Sequence, residues 1–314
     1  MATQQPQSSI KLRGRYKRRL ATALHTFHSS HRRFSSAAAA SEDRIRVVCI
    51  SDTHNQRLAI PDGDVLIHAG DLTENGSFEE MQAELTWLSA QPHRYKVFVA
   101  GNHDVLLDDA FLARYPERRY GDARTKDDLD WGDVIYLQDS CVMLDFELSS
   151  GGGRRLTLYG SPWTPQYGVS AFQYRPDEAE SHWEARFAAV ERMPDVVVTH
   201  GPPKHHLDTR DFYRAGCPFL GGEVAKVRPR LVVFGHIHVG HGQQEVVLDG
   251  VQRRYEEVMT GWAGWMHLVW MAVLVAWGWV VGGKKGQRGT VFVNASIVGE
   301  RGNEVVNEAV VVEL

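Results

Sequence analysis

RVVCISDTH, at residues 46–54, is the most informative stretch of the chain. Its first five residues are mostly apolar and β-branched, which predicts a buried strand. Asp52 and His54 follow directly after that strand. Residues two apart in an extended segment point to the same side, so both side chains can reach one metal ion. The stretch therefore predicts a strand that ends in half of a metal site.

Four later stretches repeat this arrangement: VLIHAGD at 65–71, VFVAGNHD at 97–104, VVVTHGPP at 196–203 and LVVFGHIH at 231–238. Each is a short β-branched run followed by Asp, Asn or His. One such block alone is more often a turn or a hydrogen-bonded histidine. Five in order favour a shared site, because ligands of open α/β sheets bind beyond the carboxyl ends of the strands.

The rest of the folded region shows the same alternation. The runs that predict strands are Arg46–Ile50, Val65–His68, Lys96–Val99, Val134–Leu137, Arg155–Tyr159, Val196–Thr199, Leu231–Phe234, Val246–Leu248, Val291–Asn294 and Ala309–Val312. Helical patterns lie between several of them, at Phe78–Ala90 and Pro176–Met193. Strands alternating with helices predict an α/β domain. The later strands have fewer helices between them, which predicts a second sheet.

The polar residues at the strand ends indicate a particular chemistry. They are carboxylates, imidazoles and one amide, which suit Mn²⁺, Fe, Zn²⁺ or Mg²⁺. One carboxylate can bridge two ions, and Asp71 is the natural residue for this. Two ions about 3.5–4 Å apart stabilise the attacking and leaving oxygens of an in-line displacement. The pattern therefore predicts phosphoester hydrolysis at a dinuclear centre. Three scattered cysteines exclude a disulfide framework or a cysteine zinc site.

These five blocks, with YGSPWTP at 159–165, resemble the signature blocks of the calcineurin-like metallophosphoesterases, in particular the metallophosphoesterase domain-containing subgroup. The resemblance runs from about Arg44 to the C-terminus. It implies a four-layer α/β/β/α sandwich with two mixed β-sheets and a two-metal site between them. It also implies a phosphoester hydrolase, first of all a phosphodiesterase for nucleotide-type or other small phosphodiesters. The subgroup is described as acting on cyclic nucleotides and binding purine mononucleotides.

Carried over block by block, the resemblance implies seven metal ligands. One ion would be held by Asp52, His54 and His238, the other by Asn102, His200 and His236, with Asp71 bridging them.

His103 is implied as the histidine that binds no metal and that stabilises the developing charge or protonates the leaving oxygen. Its partner would be Asp71 or Asp104, either of which would keep it cationic. Asp104 could instead be a solvated turn residue or a helix N-cap. Trp163 is either a substrate contact that stacks on a base or a loop residue that closes over the core.

The N-terminal region has a different composition. Residues 1–41 contain eight Lys or Arg and no Asp or Glu, whereas the remainder has 27 basic and 39 acidic residues. Leu12, Tyr16, Leu20 and Leu24 recur every four residues, which predicts an amphipathic helix. We interpret residues 1–42 as a basic leader that resembles a mitochondrial transit peptide. A disordered tail that touches nucleic acid or anionic lipid is the alternative.

An apolar insert interrupts the predicted domain, which spans residues 43–314. Within residues 261–289, the stretch from Trp262 to Gly283 has no Asp, Glu, Lys or Arg and contains five of the nine tryptophans. As a helix it would be about 33 Å long, enough to cross a bilayer. A single crossing is excluded, because His238 before it and the strand after it belong to one domain. Monotopic membrane association, an apolar lid and an oligomer contact stay open.

Composition excludes several classes of protein. The chain has 314 residues, of which 43% are hydrophobic and 24% charged, so it is neither collagenous, disordered throughout nor a multi-span membrane protein. No long basic stripe follows Arg44, so a specific nucleic-acid partner is not expected. A mitochondrial or membrane-associated location is favoured over a cytoplasmic one. The alternative to an enzyme is a catalytically idle scaffold that binds nucleotide or metal and is tethered to a membrane.

Overall fold

The chain divides into two compact units, which we call the sandwich unit and the three-helix unit. The first comprises Ala40–Glu245 with Thr290–Leu314, and the second comprises Met1–Ala39 with Val246–Gly289. The structure is a computed structural model, and it describes residues 7–30, 44–147, 152–280, 288–300 and 303–314.

The first sheet of the sandwich unit has five strands in the spatial order β15-β1-β2-β3-β4. Its strands are β1 (Arg46–Ile50), β2 (Val65–His68), β3 (Tyr95–Phe98), β4 (Val134–Tyr136) and β15 (Val310–Glu313). The strands β1 to β4 run parallel, and β15 is antiparallel to β1. The carboxyl ends of three successive strands, β1 to β3, therefore meet at one edge.

The second sheet has six strands in the order β13-β14-β12-β9-β6-β5. Its strands are β5 (Ser140–Glu147), β6 (Gly153–Ser161), β9 (Val196–Thr199), β12 (Leu231–Phe234), β13 (Gly242–Val246) and β14 (Thr290–Asn294). The four strands β6, β9, β12 and β14 are parallel, while β5 is antiparallel to β6. Two small pairs add β7 (Thr164–Pro165) with β8 (Gln173–Tyr174), and β10 (Thr209–Arg210) with β11 (Tyr213–Arg214).

The two sheets pack face to face. Alternate residues of β1–β3, such as Ile67 and Val97, share one buried core with Leu158 and Val233 of the second sheet. The outer face of the first sheet is covered by α2 (Phe78–Ser89) and α3 (Asp109–Arg114). On the second sheet, α4 (Ala179–Ala188) lies against β6, and α5 (Pro218–Val227) contacts α4. The predicted four-layer α/β/β/α sandwich with two mixed sheets is confirmed.

Most predicted strands are present within one or two residues, but two predictions differ from the structure and one edge strand was not predicted. The predicted strand Val246–Leu248 is wrong, because the strand there is β13, over Gly242–Val246. The helix expected at Pro176–Met193 is shorter, since α4 ends at Ala188 after a 3-10 turn at its start. The edge strand β5, in which only Leu144 and Phe146 are buried, was not predicted.

The three-helix unit consists of α1 (Gln7–Ser30), α6 (Gly250–Thr260) and α7 (Trp265–Val280). The amphipathic helix expected in the leader is present as α1, so Gln7–Ser30 is helical rather than a tail without secondary structure. Ala21 of α1 is buried with Val258 of α6 and Met271 of α7. The three-helix unit therefore contains the leader helix, α6 and the helix of the apolar insert.

Polar contacts fix the position of α1 on α6. His25 Nε2 lies 2.5 Å from Gln252 Oε1, and His28 Nε2 lies 3.0 Å from Asp249 Oδ2. The Asp249 carboxylate also accepts the backbone N–H groups of Val251 and Gln252, so it caps the first turn of α6. In the described part of the chain, every helix is too short or too polar to cross a bilayer.

Loops from the two sheets approach each other so closely that one position requires glycine. Gly235 follows β12, and a Cβ at this position would overlap Asp52 Oδ2 and Ser51 Oγ after β1. The backbone N–H of the next residue, His236, donates to the Asp52 carboxylate at 3.0 Å. Glycine at this position therefore allows the polar edges of the two sheets to come into contact.

Gly235→Ala is expected to lower the free energy of unfolding by about 1–3 kcal/mol, because the added methyl group must displace the Asp52 side chain. Gly222→Ala in α5 is the matched control, since a Cβ there meets nothing within 4 Å. That change should leave stability unchanged or raise it by up to about 1 kcal/mol. Urea unfolding followed by circular dichroism measures both, and equal midpoints for the two variants would contradict the prediction.

Candidate metal centre

Five strands deliver the predicted ligands to one place. Asp52 and His54 follow β1, Asp71 follows β2 and Asn102 follows β3 in the first sheet. From the second sheet, His200 follows β9, while His236 and His238 follow β12. All seven follow the carboxyl ends of parallel strands, as the sequence pattern predicts.

The described His and carboxylate side chains form three groups in which the donor atoms lie within 4.8 Å of one another. These groups are Asp52 with His54 and His238, His54 with Asp71 and His103, and Asp71 with His200 and His236. The first group contains the three ligands expected for one ion, and the third contains two of the ligands expected for the other ion together with Asp71. Asn102, the amide of the predicted second site, places its Oδ1 3.0 Å from His200 Nε2.

Asp71 lies between His54 of the first group and His200 of the third group. Its Oδ2 is 3.8 Å from His54 Nε2 on one side and 3.2 Å from His200 Nε2 on the other. Its Oδ1 accepts the backbone N–H of His103 at 2.7 Å, which fixes the orientation of the carboxylate. The side chain is almost completely buried. Asp71 is therefore close to donor atoms of both groups, which makes it the candidate for a ligand that they share.

The backbone of the ligand residues is strained. Asp52, His54, Asp71 and His236 all have φ between 45° and 66°, in the left-handed region. Such a conformation costs of order 1 kcal/mol or more for a residue with a side chain. The surrounding fold supports this strain through backbone contacts such as Asp52 N–H to Gly70 O at 2.9 Å. Strain at four of the seven predicted ligands is typical of a functional site.

Backbone carbonyls orient three of the histidines. The Nδ1 atoms of His200, His238 and His103 lie 3.0, 3.1 and 2.7 Å from the carbonyl oxygens of Ala69, Gly299 and Glu74. With Nδ1–H donating to a carbonyl, Nε2 is the nitrogen left for a cation or a substrate. His54 differs, since its Nδ1 lies 3.2 Å from the Glu74 carboxylate. Both arrangements are common around histidines that bind metals.

The carboxylates and imidazoles of the site shift one another's pKa values. Burial opposes ionisation, but the neighbouring histidines outweigh it and hold the pKa values of Asp52 and Asp71 below the ordinary range. In return, despite burial, Asp71 raises the pKa of His200 and Asp52 raises that of His238, each to about 9. Burial lowers the pKa of His236 to about 3. A divalent cation would take the place of the protons that balance the two carboxylates.

The donor set fits divalent metal ions. It offers buried carboxylate, imidazole and amide donors grouped around one shared carboxylate, and it contains no thiolate. Asp52 has a further support, because Ser296 Oγ donates to its Oδ2 at 2.8 Å. The residues present are thus able to hold two ions, one on each side of Asp71.

His103 lies at the edge of this cluster, with its ring 4.8 Å from that of His54. Burial lowers its pKa, but the negative charge of Asp71 and the hydrogen bond to the Glu74 carbonyl outweigh burial and raise the pKa above the ordinary value. The imidazole can therefore hold a proton at Nε2 beside the cluster. Its role as the histidine that binds no metal stays a prediction.

Asp104 connects two of the site loops. Its carboxylate accepts the backbone N–H groups of Gly101 at 2.7 Å and Thr73 at 3.0 Å, as well as the Thr73 hydroxyl at 2.8 Å. Burial and the charge of Asp71 raise its pKa to about 6. It is fully buried, and it makes no capping hydrogen bond to the 3-10 turn that it precedes. The alternative of a solvated turn residue or helix N-cap is therefore wrong.

A cavity of about 360 Å³ opens next to the cluster. Its lining includes His54, Asp71, Asn102, His103, His236 and His238, together with Glu74, Tyr167, Arg210, Asp211, Ile237, Glu300 and Asn303.

Tyr167 and Arg210 are cavity residues that the sequence analysis did not single out. The Tyr167 ring lies 5.2 Å from that of His236. Arg210, at the end of β10, is the one Lys or Arg among the described residues that line the cavity. Tyr167 lies in an irregular segment and Arg210 in a two-residue strand. Neither segment has the hydrophobic periodicity from which longer elements are predicted. The only sequence signal for either residue is its position shortly after a predicted block: Tyr167 follows residues 159–165, and Arg210 follows residues 196–203.

Trp163 is not among the described residues that line the cavity. Its indole N–H donates to Asp139 Oδ2 at 2.9 Å, and the guanidinium of Arg186 lies 4.7 Å from its ring centroid. It also packs edge-on against Phe172. These contacts match the loop-closing alternative, and the geometry gives no support to the substrate contact predicted for Trp163.

The chain is similar in sequence to several known proteins. A family model described as calcineurin-like phosphoesterase matches residues 45–240. The chain is 41% identical over 281 residues to a "Probable rhamnogalacturonate lyase C" of Emericella nidulans, covering 87% of this chain and 25% of that protein. It is 36% identical over 215 residues to metallophosphoesterase domain-containing protein 1 of Homo sapiens, covering 65% of this chain and 63% of that protein.

Among solved structures, the protein TT1561 of Thermus thermophilus is similar with 16% identity and a TM-score of 0.42, over 65% of this chain and 85% of that one. The chain spans a quarter of one curated relative and just under two thirds of the other. Because the family model covers more than half of the chain and every predicted ligand block, the chain belongs to the calcineurin-like phosphoesterase family.

Proposed function

We propose that the chain is a metal-dependent phosphoester hydrolase with a dinuclear centre, and that it is a phosphodiesterase for nucleotide-type or other small phosphodiesters. The observation that carries this proposal is the position of Asp71, whose Oδ2 lies 3.8 Å from His54 Nε2 and 3.2 Å from His200 Nε2. Membership of the family supports the reaction class.

The proposed metals are two divalent ions from the group Mn, Fe, Zn and Mg. When bound, they supply Lewis-acid stabilisation of the oxygens on phosphorus. Asp52, His54 and His238 would hold one ion, Asn102, His200 and His236 would hold the other, and Asp71 would be their shared ligand. His103 acts at the leaving oxygen, because its Nδ1–H is held by the Glu74 carbonyl and its Nε2 can deliver a proton.

The cavity supports a small anionic substrate with an aromatic group. A volume of about 360 Å³ lies in the range that accommodates a ligand of nucleotide size. Arg210 supplies a cation for a phosphate oxygen in a lining that otherwise contains the acidic Glu74, Asp211 and Glu300. Tyr167, which is 58% exposed beside His236, offers a ring face for a base.

The rival proposal is a catalytically idle scaffold that binds metal or nucleotide. The positions of the predicted ligands favour the enzyme. All seven follow the ends of strands, and the ring of His103 lies next to that of His54. Turnover of a generic aryl phosphodiester with added Mn²⁺ separates the two proposals.

Asp71→Ala is expected to reduce Mn²⁺-dependent hydrolysis of bis(p-nitrophenyl) phosphate by about 100-fold or more, because both ions lose a shared ligand. Bound metal, measured by elemental analysis of the purified protein, should fall in parallel. Asp127→Asn changes an exposed carboxylate outside the cavity and serves as the control. Hydrolysis that is independent of metal, or unchanged in Asp71→Ala, would reject the catalytic proposal.

His103→Gln is expected to lower kcat by about 10²- to 10⁴-fold while the metal content stays at the wild-type value, because this side chain transfers a proton and binds no ion. His200→Ala is the matched comparison, since it should lose metal as well as activity. The loss in His103→Gln should be smaller for substrates with a good leaving group, such as p-nitrophenolate. Loss of metal in His103→Gln would instead identify His103 as a ligand.

Arg210→Ala is expected to raise KM for a cyclic purine nucleotide by about 10- to 100-fold with little change in kcat, because a charged hydrogen bond to phosphate is lost. Arg210→Lys should restore part of the affinity, and Arg192→Ala, at an exposed arginine outside the cavity lining, should have no effect. Initial rates over a range of substrate concentrations provide the measurement. An unchanged KM in Arg210→Ala would remove this residue from the substrate site.

A further inference from the structure

The three-helix unit presents an apolar surface on the outer side of α7. One side of this helix is buried through Leu268, Met271 and Val275, which pack with residues of α1 and α6. The other side carries six apolar side chains that are each about half or more exposed: Trp265, Met266, Val269, Trp270, Val273 and Trp277. Large exposed apolar patches on soluble domains mark interaction surfaces. Three of the six are tryptophans, which prefer a boundary between apolar and aqueous surroundings.

Helix α1 extends the same surface. The Phe27 ring stacks on that of Trp279 with centroids 5.7 Å apart, so this side of α1 adjoins α7. Tyr16 and Leu20 precede Phe27 by eleven and seven residues, spacings that place all three on one side of the helix. They are 58%, 51% and 42% exposed, respectively. The apolar surface therefore covers parts of two helices.

The rim of this surface is basic. Arg15 and Arg19 of α1 are exposed. Arg15 and Arg19 are four residues apart and form a row beside Tyr16 and Leu20. Residues 14–30 contain no Asp or Glu, and the stretch 262–283 contains no charged residue at all. An apolar patch with tryptophans and a rim of one positive sign complements a layer of apolar chains beneath anionic headgroups.

We propose that the three-helix unit binds the surface of an anionic lipid bilayer, with the exposed side of α7 in the interface and Arg15 and Arg19 of α1 on the phosphate headgroups. Interfacial helices normally carry their own charged face. Here α6 and α1 cover the inner side of α7, and α1 supplies the charge in place of α7. Attachment at the interface agrees with the finding that no described helix is long and apolar enough to cross a bilayer.

A partner protein is the other class of occupant for such a surface. The observations favour lipid because the described rim from Gly14 to Ser30 has one sign of charge, whereas a protein interface normally pairs both signs. Trp and Arg are also the side chains that place an apolar body at the bilayer boundary and a polar tip in water.

The test is co-sedimentation of the full chain with vesicles of pure phosphatidylcholine and with vesicles that contain about a quarter phosphatidylserine. We expect partition into the anionic vesicles at low salt and release as the salt concentration rises. The combined change of Arg15 and Arg19 to Gln should lower the anionic partition coefficient about 30-fold. The combined change of Trp265, Trp270 and Trp277 to Ser should lower it at least about tenfold.

Met193→Ser is the matched control, because this exposed apolar side chain belongs to the sandwich unit. Circular dichroism and metal content verify that the variants are folded. A second measurement needs no substitution: lipids brominated near the headgroup should quench the tryptophan fluorescence of the wild-type chain. Failure of the wild-type chain to sediment, equal partition into neutral and anionic vesicles, or unchanged binding in the tryptophan variant would overturn the proposal. Concentration-dependent self-association without vesicle binding would show that a second copy covers the surface.

Discussion

The buried Asp71 carboxylate, shared between histidines from both sheets, is the interaction on which the rest of the site depends. Two carboxylates, Asp52 and Asp71, are withdrawn from water at the meeting point of the sheets. A buried charge is costly unless it is paired or coordinates a metal. Despite burial, Asp71 raises the pKa of His200 and Asp52 raises that of His238, each to about 9, so these histidines offset the charge of the two carboxylates. The same carboxylate–imidazole pairs are candidate ligands, because a divalent cation could take the place of their protons.

Holding this cluster in place imposes demands on the surrounding chain. Parallel strands bring the ligands to one edge, but parallel geometry alone does not aim the side chains. The side chains are oriented by left-handed turns at Asp52 and Asp71, by backbone N–H groups that hold the carboxylates, and by carbonyl groups that hold the imidazoles. Gly235 allows the two sheets to approach at this point. Buried Asp104 then connects the loops after β2 and β3, so two of the ligand loops cannot move independently.

The parts of the fold that were predictable from sequence are those in which burial on both faces creates an uninterrupted apolar run. β1, β2, β9 and β12 are such strands, and their ends locate six of the seven predicted ligands. Strands β5 and β13 lie at the edges of the second sheet, where pairing rather than burial determines the structure. β13 is rich in polar residues, so the apolar run beside it at Val246–Leu248 was a misleading signal. Tyr167 and Arg210 depend on loop conformation, which no periodicity reports.

The leader shows how one pattern can serve two purposes. A basic amphipathic helix is typical of a transit peptide, and it is equally suited to packing on two other helices. In the structure, the side of α1 that contains Ala21 and His25 is used for packing on α6 and α7, whereas Arg15, Arg19 and Tyr16 face outward. Removal of α1 would expose Val258 and Met271 and leave Gln252 without the imidazole that contacts it. Cleavage of the leader and integrity of the three-helix unit are therefore competing requirements. Because Arg15 and Arg19 lie on the side of α1 that does not pack, a retained leader can hold the unit together and still present their positive charge.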